Sequence, residues 1–422
     1  MRRLGIVASV LTLVLGASSA AFATHSPSAQ REVIGEYNKA QYALFLPYRW
    51  NGDLVVYAHG FIDPAVKTVA LPDTAPVDVA PWVVELRERL LQAGYAVAYS
   101  SYSQNGWAVN DGAQRTRELR PLFSWYFNVP DRTYVIGRSL GALTTMLLVE
   151  KYAIESSPSI SILGISLGGI SDRAIDGALA LCGPVGGGRK QTDYVAHTRA
   201  LFDFFYPIGV DGKPVIPGDV LHVPAGLDYS STSLQVQAIV GAILANPQAA
   251  VALASIDQVE LPWTSFPELI NTIVRVLGYN ILGTNDLLAR TGGASPFENR
   301  SVTYTGLGAY DAVVNAGVDR FAGSTQAFNY LKAYYQPTGN LKANVLTLHT
   351  TLDPDVPFTH EQALKDIVVR YTNDSTPNKL AQQNYNRYGH CNFTPAETVD
   401  AFFRLVNWVE RGVKPANGAL AP

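Results

Sequence analysis

The stretch Thr133-Tyr134-Val135-Ile136-Gly137-Arg138-Ser139-Leu140-Gly141 joins four strand-forming residues to a Gly-x-Ser-x-Gly pentapeptide. An apolar run with few polar residues follows it, from 140 to 152. The first four residues read as a buried strand, and the run after them as a helix packed against a sheet. A serine at such a junction sits in a sharp, strained turn, and the flanking glycines leave room where side chains would clash. The turn pushes the hydroxyl outward, and the helix N-terminus behind it favours developing negative charge. Ser139 is therefore the candidate nucleophile.

The pentapeptide alone does not choose, because Gly164-Ile165-Ser166-Leu167-Gly168 matches it too. Ser166 also follows a short, mostly apolar run. However, Ser171, Asp172 and Arg173 come almost at once, and the next strand begins at Gly177. No full crossover helix fits in that interval. Ser139 has one, so the reading rests on context.

Outward from Ser139 the same alternation continues. Strands are expected over 40–47, 54–58 (ending at His59-Gly60-Phe61), 96–101 and 177–182. A helix carries Val83, Val84, Leu86, Leu90 and Leu91 on helical spacing, with Gly94 as its stop. Alternating strands and helices predict βαβ units and a parallel sheet. From Gly183 to about Thr338 the pattern becomes largely helical. Strand character resumes at 344–349 and again at 380–388, and an amphipathic helix over 395–411 ends the chain. The expected organisation is a leader at 1–23, an α/β core at 24–182, a helical insertion at 183–338 and a second part of the core at 339–422. Residues 26–30 read as a loose start.

A serine nucleophile needs a base, a group that orients the base, and donors for an oxyanion. The seven histidines are His25, His59, His197, His222, His349, His360 and His390. His390 follows the last expected strand and precedes the final helix, which suits a base in the chain order Ser, acid, His. His349 lies inside a strand and reads as a core or sheet residue, while His360 begins a helix. Asp353 is the first carboxylate past the penultimate strand, with Asp355 as its competitor two residues on. The backbone N–H groups of Leu140 and Phe61 are the expected oxyanion donors, with His59 supporting the loop that carries Phe61.

In this order these residues resemble the α/β-hydrolase superfamily. That resemblance implies a mostly parallel central sheet flanked by helices, a largely helical cap over the site, and a Ser139-Asp353-His390 triad. Asp353-Pro354-Asp355-Val356-Pro357 with Gly389-His390 is similar to the ends of secreted prolyl-oligopeptidase-like and aminopeptidase-like members. His390-Cys391 is similar to tannases and feruloyl esterases, in which a cysteine beside the catalytic His is bonded to one beside the catalytic Ser. Arg138 departs from that pattern by standing before Ser139, so the partner that the resemblance leaves is Cys182. Two independent buried thiols are the alternative.

The expected activity is cleavage of carboxylic esters, small or polymeric, through an acyl-enzyme. A serine peptidase or amidase using the same triad is the second reading, and a non-catalytic binding protein the third. Trp107, Phe204, Tyr206 and Trp263 are candidates to line the acyl or alcohol pocket, with packing in a core as the alternative for each.

Bulk properties narrow the setting. The net charge is −3 with no basic block, which argues against a nucleic-acid partner. No Gly-rich dinucleotide loop and no zinc or calcium ligand spacing appears, so neither cofactor nor metal is expected. Met1-Arg2-Arg3, an apolar run over 4–15 and Ala21-Phe22-Ala23 have the three-part layout of a secretory leader cut near Ala23. No later run reaches the roughly 18 apolar residues of a membrane span. A secreted or periplasmic location follows, where two cysteines can pair.

Overall fold

The computed structural model describes residues 25–74, 80–154, 160–162, 165–167 and 173–421, with backbone alone for 160–162 and 165–167. The expected leader and its cleavage point lie outside these residues.

The chain opens with β1 (Ala29–Tyr37) and β2 (Ala40–Pro47), an antiparallel hairpin. It turns at Asn38 and Lys39, both at positive φ, the two-residue geometry that matches the twist of paired strands. The loose start expected at 26–30 is not found. Ser26 is buried, its N–H donating to Glu32 and its hydroxyl to Glu88, and β1 begins at Ala29. A mainly polar edge strand with one exposed face carries little apolar signal.

There follow β3 (Asp53–Ala58), α1 (Ala80–Gln92), β4 (Ala96–Ser100), α2 (Val109–Arg117), α3 (Leu119–Tyr126), β5 (Arg132–Arg138) and α4 (Leu140–Lys151). Two three-residue strands come next, β6 (Ile160–Ile162) and β7 (Ile165–Leu167), then β8 (Gly177–Leu181). Helices α5 (Gly188–Phe205), α6 (Leu234–Ala245), α7 (Pro247–Ala254), α8 (Phe266–Arg290), α9 (Asp311–Gly317) and α10 (Thr325–Tyr335) separate β8 from β9 (Asn344–Leu352). The chain closes with α11 (Thr359–Thr372), β10 (Leu380–Tyr388), α12 (Pro395–Arg411) and a short β11 (Gly418–Ala419).

Nine strands form one sheet in the order β1-β2-β4-β3-β5-β8-β9-β10-β11. The first two joins are antiparallel, and every join from β4 onward is parallel. The middle strands β3, β4 and β8 are buried along their whole length, as a parallel sheet covered on both faces requires. On one face lie α1 and α12, through Val83, Leu86, Leu90, Phe402, Leu405 and Trp408. On the other lie α2, α4, α10 and α11, through Val109, Leu143, Met146, Leu331 and Leu364. Helix α12 starts with a capping box between Thr394 and Glu397 and stops at Gly412 in the left-handed region. Both punctuation marks are local, which is why its limits could be read from sequence.

The helices between β8 and β9 close on an apolar core of their own, including Leu201, Phe202, Ile239, Leu253, Leu269, Ile273, Val276 and Phe297. Arg199 of α5 is fully buried at its centre, paired with Asp203 and hydrogen-bonded to Asn280 and to the carbonyls of Ile216 and Gly218. Among the described residues no single helix is long and apolar enough to cross a membrane. The pair α6 and α7, bent by 96°, has such a composition only when taken together.

Candidate active site

The carboxyl ends of β3, β5, β8 and β9 and the turn after β10 meet around Ser139. This serine stands between β5 and α4 at φ +56°, ψ −127°, a backbone conformation that side chains rarely adopt. Its neighbours explain why it is tolerated. A Cβ on Gly137 would lie 2.2 Å from the carbonyl oxygen of Gly141, and one on Gly141 would lie 2.1 Å from that of Ala58. The strand, helix and neighbouring loop approach closely because glycine stands at both places. The Ser139 N–H donates to the Leu181 carbonyl of β8, which fixes the turn to the sheet. Ser166 has no comparable setting. It lies in the middle of β7, opposite Ser161 of β6 in an antiparallel pair, so it stands within a strand and not at a strand-to-helix junction.

Three polar side chains form one chain of hydrogen bonds. His390 Nε2 lies 2.8 Å from Ser139 Oγ, and His390 Nδ1 lies 2.8 and 3.0 Å from the two oxygens of Asp353. Asp353 follows β9 directly and is fully buried, and its Oδ1 also accepts the N–H groups of Asp355 and Val356. Burial alone pushes this carboxyl up. The facing His390, with hydrogen bonds from His349 and His390, outweighs that and holds it well below the usual carboxylate range. An ionised acceptor at Nδ1 keeps the imidazole proton there and leaves Nε2 free to take one from the serine hydroxyl.

His349 does more than fill the sheet. Fully buried on β9, it places Nε2 3.5 Å from Asp353 and Nδ1 3.0 Å from Glu361 of α11. Burial pushes its pKa down, but the two carboxylates prevail and raise it to about 10. Glu361 is held in turn by Thr347 and Gln382. The separation of four residues between His349 and Asp353 was visible in the sequence, but Glu361 had no local signal.

Asp355 takes another place. It does not bond His390 Nδ1. Its carboxylate lies 4.0 Å from His390 Nε2, pairs in bidentate fashion with Arg275 of α8 and accepts the Tyr279 hydroxyl at 2.9 Å. The backbone beside it is gripped by α5, where Tyr194 donates to the Pro354 carbonyl and Gln191 to that of Asp355. His360 belongs to the same joint, accepting the Gly186 N–H at Nδ1 and bonding Gln191 through Nε2. Burial pushes it well below its ordinary pKa.

The remaining expected residues divide. Leu140 is the first residue of α4. Gly60 brings the loop after β3 against the serine, since a Cβ there would lie 3.0 Å from Ser139 Cβ, and Phe61 follows it. His59 stacks on Tyr102 at 3.7 Å and bonds the Gly60 carbonyl, and burial lowers its pKa to about 4, so it sits neutral under the loop. Cys182 and Cys391 are joined in a disulfide with their Cα atoms 5.2 Å apart, both at positive φ. The bridge ties the residue after His390 to the end of β8. Cys182, His390 and Cys391 are spaced like metal ligands, but both sulfurs are engaged in the disulfide.

Trp107 is buried edge-on to Phe61, its backbone N–H donating to Asp286 of α8. Phe204 and Tyr206 are not brought to the site. Both pack within the insertion, Phe204 on Phe205 and Tyr206 on Phe202, and Tyr206 donates to the Asn246 carbonyl. Trp263 lies 37% exposed in the loop before α8. The helices between β8 and β9 need such rings for their own core. What sequence reading missed is the part played by α8, whose Arg275 and Tyr279 reach Asp355, and a groove beside it. That groove, about 610 Å³, lies between α6 and α8, and Phe61, Asp63, Asn271, Arg275 and Tyr279 are among the residues that line it.

No protein-family model and no curated protein matches the sequence. Solved structures are similar to it at low identity. Feruloyl esterase B from Aspergillus oryzae is 13% identical, with a TM-score of 0.44, over 94% of this chain and 86% of that one. Candida antarctica lipase A is 13% identical with a TM-score of 0.42, over 91% and 77%. The rice cell wall degrading esterase LipA from Xanthomonas oryzae is 13% identical with a TM-score of 0.39, over 88% and 85%. The fold stands on the chain's own topology: a mostly parallel sheet between helices, a strained serine turn after β5, and an acid and a histidine after later strands. The chain has the α/β-hydrolase fold.

Proposed function

We propose that this protein is a serine hydrolase that cleaves carboxylic esters. Ser139 Oγ attacks the ester carbonyl while His390 Nε2 takes its proton. Asp353 holds the imidazole and stabilises the imidazolium, and the N–H groups of Phe61 and Leu140 receive the oxyanion. His390 then protonates the departing alcohol, and the acyl group remains on Ser139 until water, activated by the same histidine, releases it. The observation that carries this reading is the unbroken hydrogen-bond chain from Ser139 Oγ through His390 to a buried, ionised Asp353. The helices between β8 and β9 act as a cap, and the Cys182–Cys391 disulfide supports a working place in an oxidising compartment.

A side-by-side panel of p-nitrophenyl esters and aminoacyl-p-nitroanilides tests the reading. Turnover of esters, abolished in Ser139→Ala, is the expected result. Anilide turnover without ester turnover would assign the site to a peptidase or amidase instead.

A further inference from the structure

Asp355 is a buried carboxylate that the proposed chemistry leaves unused, and it stands beside the atom that moves the proton. Its side chain is 1% exposed, and its Oδ2 lies 4.0 Å from His390 Nε2. Asp353 serves the other end of the same ring, at Nδ1. His390 therefore has a carboxylate at each end, one bonded to it and one not. A separation of 4.0 Å is too long for a hydrogen bond, so Asp355 does not compete with Ser139 for Nε2. It is close enough to act as a charge.

The carboxylate is fixed at that distance. Arg275 donates to both of its oxygens, and the Tyr279 hydroxyl donates to Oδ2. The Asp355 N–H is committed to Asp353, and its carbonyl accepts from Gln191. Rotation toward Nε2 would break the bonds to Arg275 and Tyr279. Such a pair is a poor choice for stability alone. Taking a carboxylate out of water costs about as much as its ion pair returns, and apolar side chains of similar size often serve as well. Proton transfer supplies a different reason for its place. The His390 ring gains a positive charge when it takes the Ser139 proton, and again when it takes one from the water that releases the acyl group. A fixed negative charge 4.0 Å from Nε2 lowers the energy of that imidazolium without having to move.

Resting on the ester-hydrolase reading, we infer that Asp355 is a second carboxylate of the proton-transfer step. It is a positioning residue that stabilises the His390 imidazolium from the Nε2 side, held there by Arg275 and Tyr279 of α8. Because the imidazolium forms in acylation and in deacylation alike, loss of Asp355 slows both steps. It lowers kcat and leaves KM nearly unchanged, whereas loss of a residue that only holds substrate raises KM.

The test measures kcat and KM on p-nitrophenyl acetate and butyrate, with urea unfolding alongside, for the wild type and two variants. Asp355→Asn keeps the size of the side chain and leaves Arg275, whose side chain is 43% exposed, to be hydrated. Arg275→Met combined with Asp355→Asn leaves no unpaired charge. In Asp355→Asn, kcat should fall about tenfold or more while KM stays within about threefold of wild type. The double variant should also be slower than wild type, by about threefold or more, but faster than Asp355→Asn, because the unpaired cation near the imidazolium is gone. A purely structural role predicts the reverse order, since the second substitution only adds damage. If one variant fails to fold, the fall in kcat of the other decides. Smaller falls than these, a loss carried by KM, or a double variant slower than Asp355→Asn would overturn the role of Asp355 while leaving ester hydrolysis intact. No turnover of any ester by the wild type would instead remove the reading beneath it.

Discussion

Ser139 keeps a left-handed backbone only because two glycines let three segments crowd together around it. A methyl group at Gly141 has nowhere to go, since the atoms it meets are the Ala58 and His59 carbonyl oxygens, not flexible side chains. Gly141→Ala should therefore cost about 3 kcal/mol or more, read as a lowered urea midpoint, whereas an ordinary surface substitution changes stability by under about 0.5 kcal/mol. The acid side offers a second residue-scale test. Arg275 neutralises Asp355, which is 1% exposed. Arg275→Met should destabilise by about 3–5 kcal/mol by leaving a buried carboxylate unpaired, and adding Asp355→Asn should recover most of that loss. A double variant as unstable as the sum of the singles would show that the pair is not coupled.

His349 gives a pH dependence whose sign can be worked out. Its folded pKa, about 10, lies above the ordinary 6.5, so its contribution to stability is complete below about 6.5 and disappears as pH rises through 10. Asp353 works in the opposite direction, since its folded pKa is depressed below the ordinary 3.8; its contribution is present above that value and lost in acid. Urea unfolding of wild type and His349→Gln at pH 7 and pH 10.5 checks the first statement. The two proteins should differ clearly at pH 7 and converge at pH 10.5. An unchanged difference would mean that His349 is neutral in the fold.

At the scale of elements, the acid loop after β9 is held from outside the sheet, by α5 through Tyr194 and Gln191 and by α8 through Arg275. The disulfide does the same for the loop after β10. It spans 209 residues of sequence, and removing such a cross-link from the unfolded chain's constraints costs about 5 kcal/mol in the loop-entropy model, commonly less in practice. Cys182→Ser with Cys391→Ser should lower the melting temperature and reduce ester turnover together, because the bridge is anchored one residue from His390. A stable double variant with full activity would show that the bridge does not position the histidine.

This scale also explains what could be read in advance. The elbow, α12 and the strands β3, β4, β5, β8 and β9 announce themselves through local apolar runs, caps and glycines. The positions of Asp353 and His390 follow from where strands end. Edge strand β1 did not, because half of it faces solvent. Nor did Arg275, whose partner lies 80 residues away on another element with no local pattern to connect them. Whether Phe204 and Tyr206 would line a pocket or fill a core could not be chosen for a related reason, and they fill a core. A sequence reveals that a ring is apolar, but not which of two cores it joins.

For the molecule as a whole, the proposed chemistry falls to one serine although two stretches fit Gly-x-Ser-x-Gly. Fluorophosphonate labelling followed by peptide mapping separates them most directly, applied to the wild type, Ser139→Ala and Ser166→Ala. One modified peptide carrying Ser139 is expected, absent in Ser139→Ala and fully retained in Ser166→Ala. Label on the Ser166 peptide, or ester turnover surviving Ser139→Ala, would contradict it.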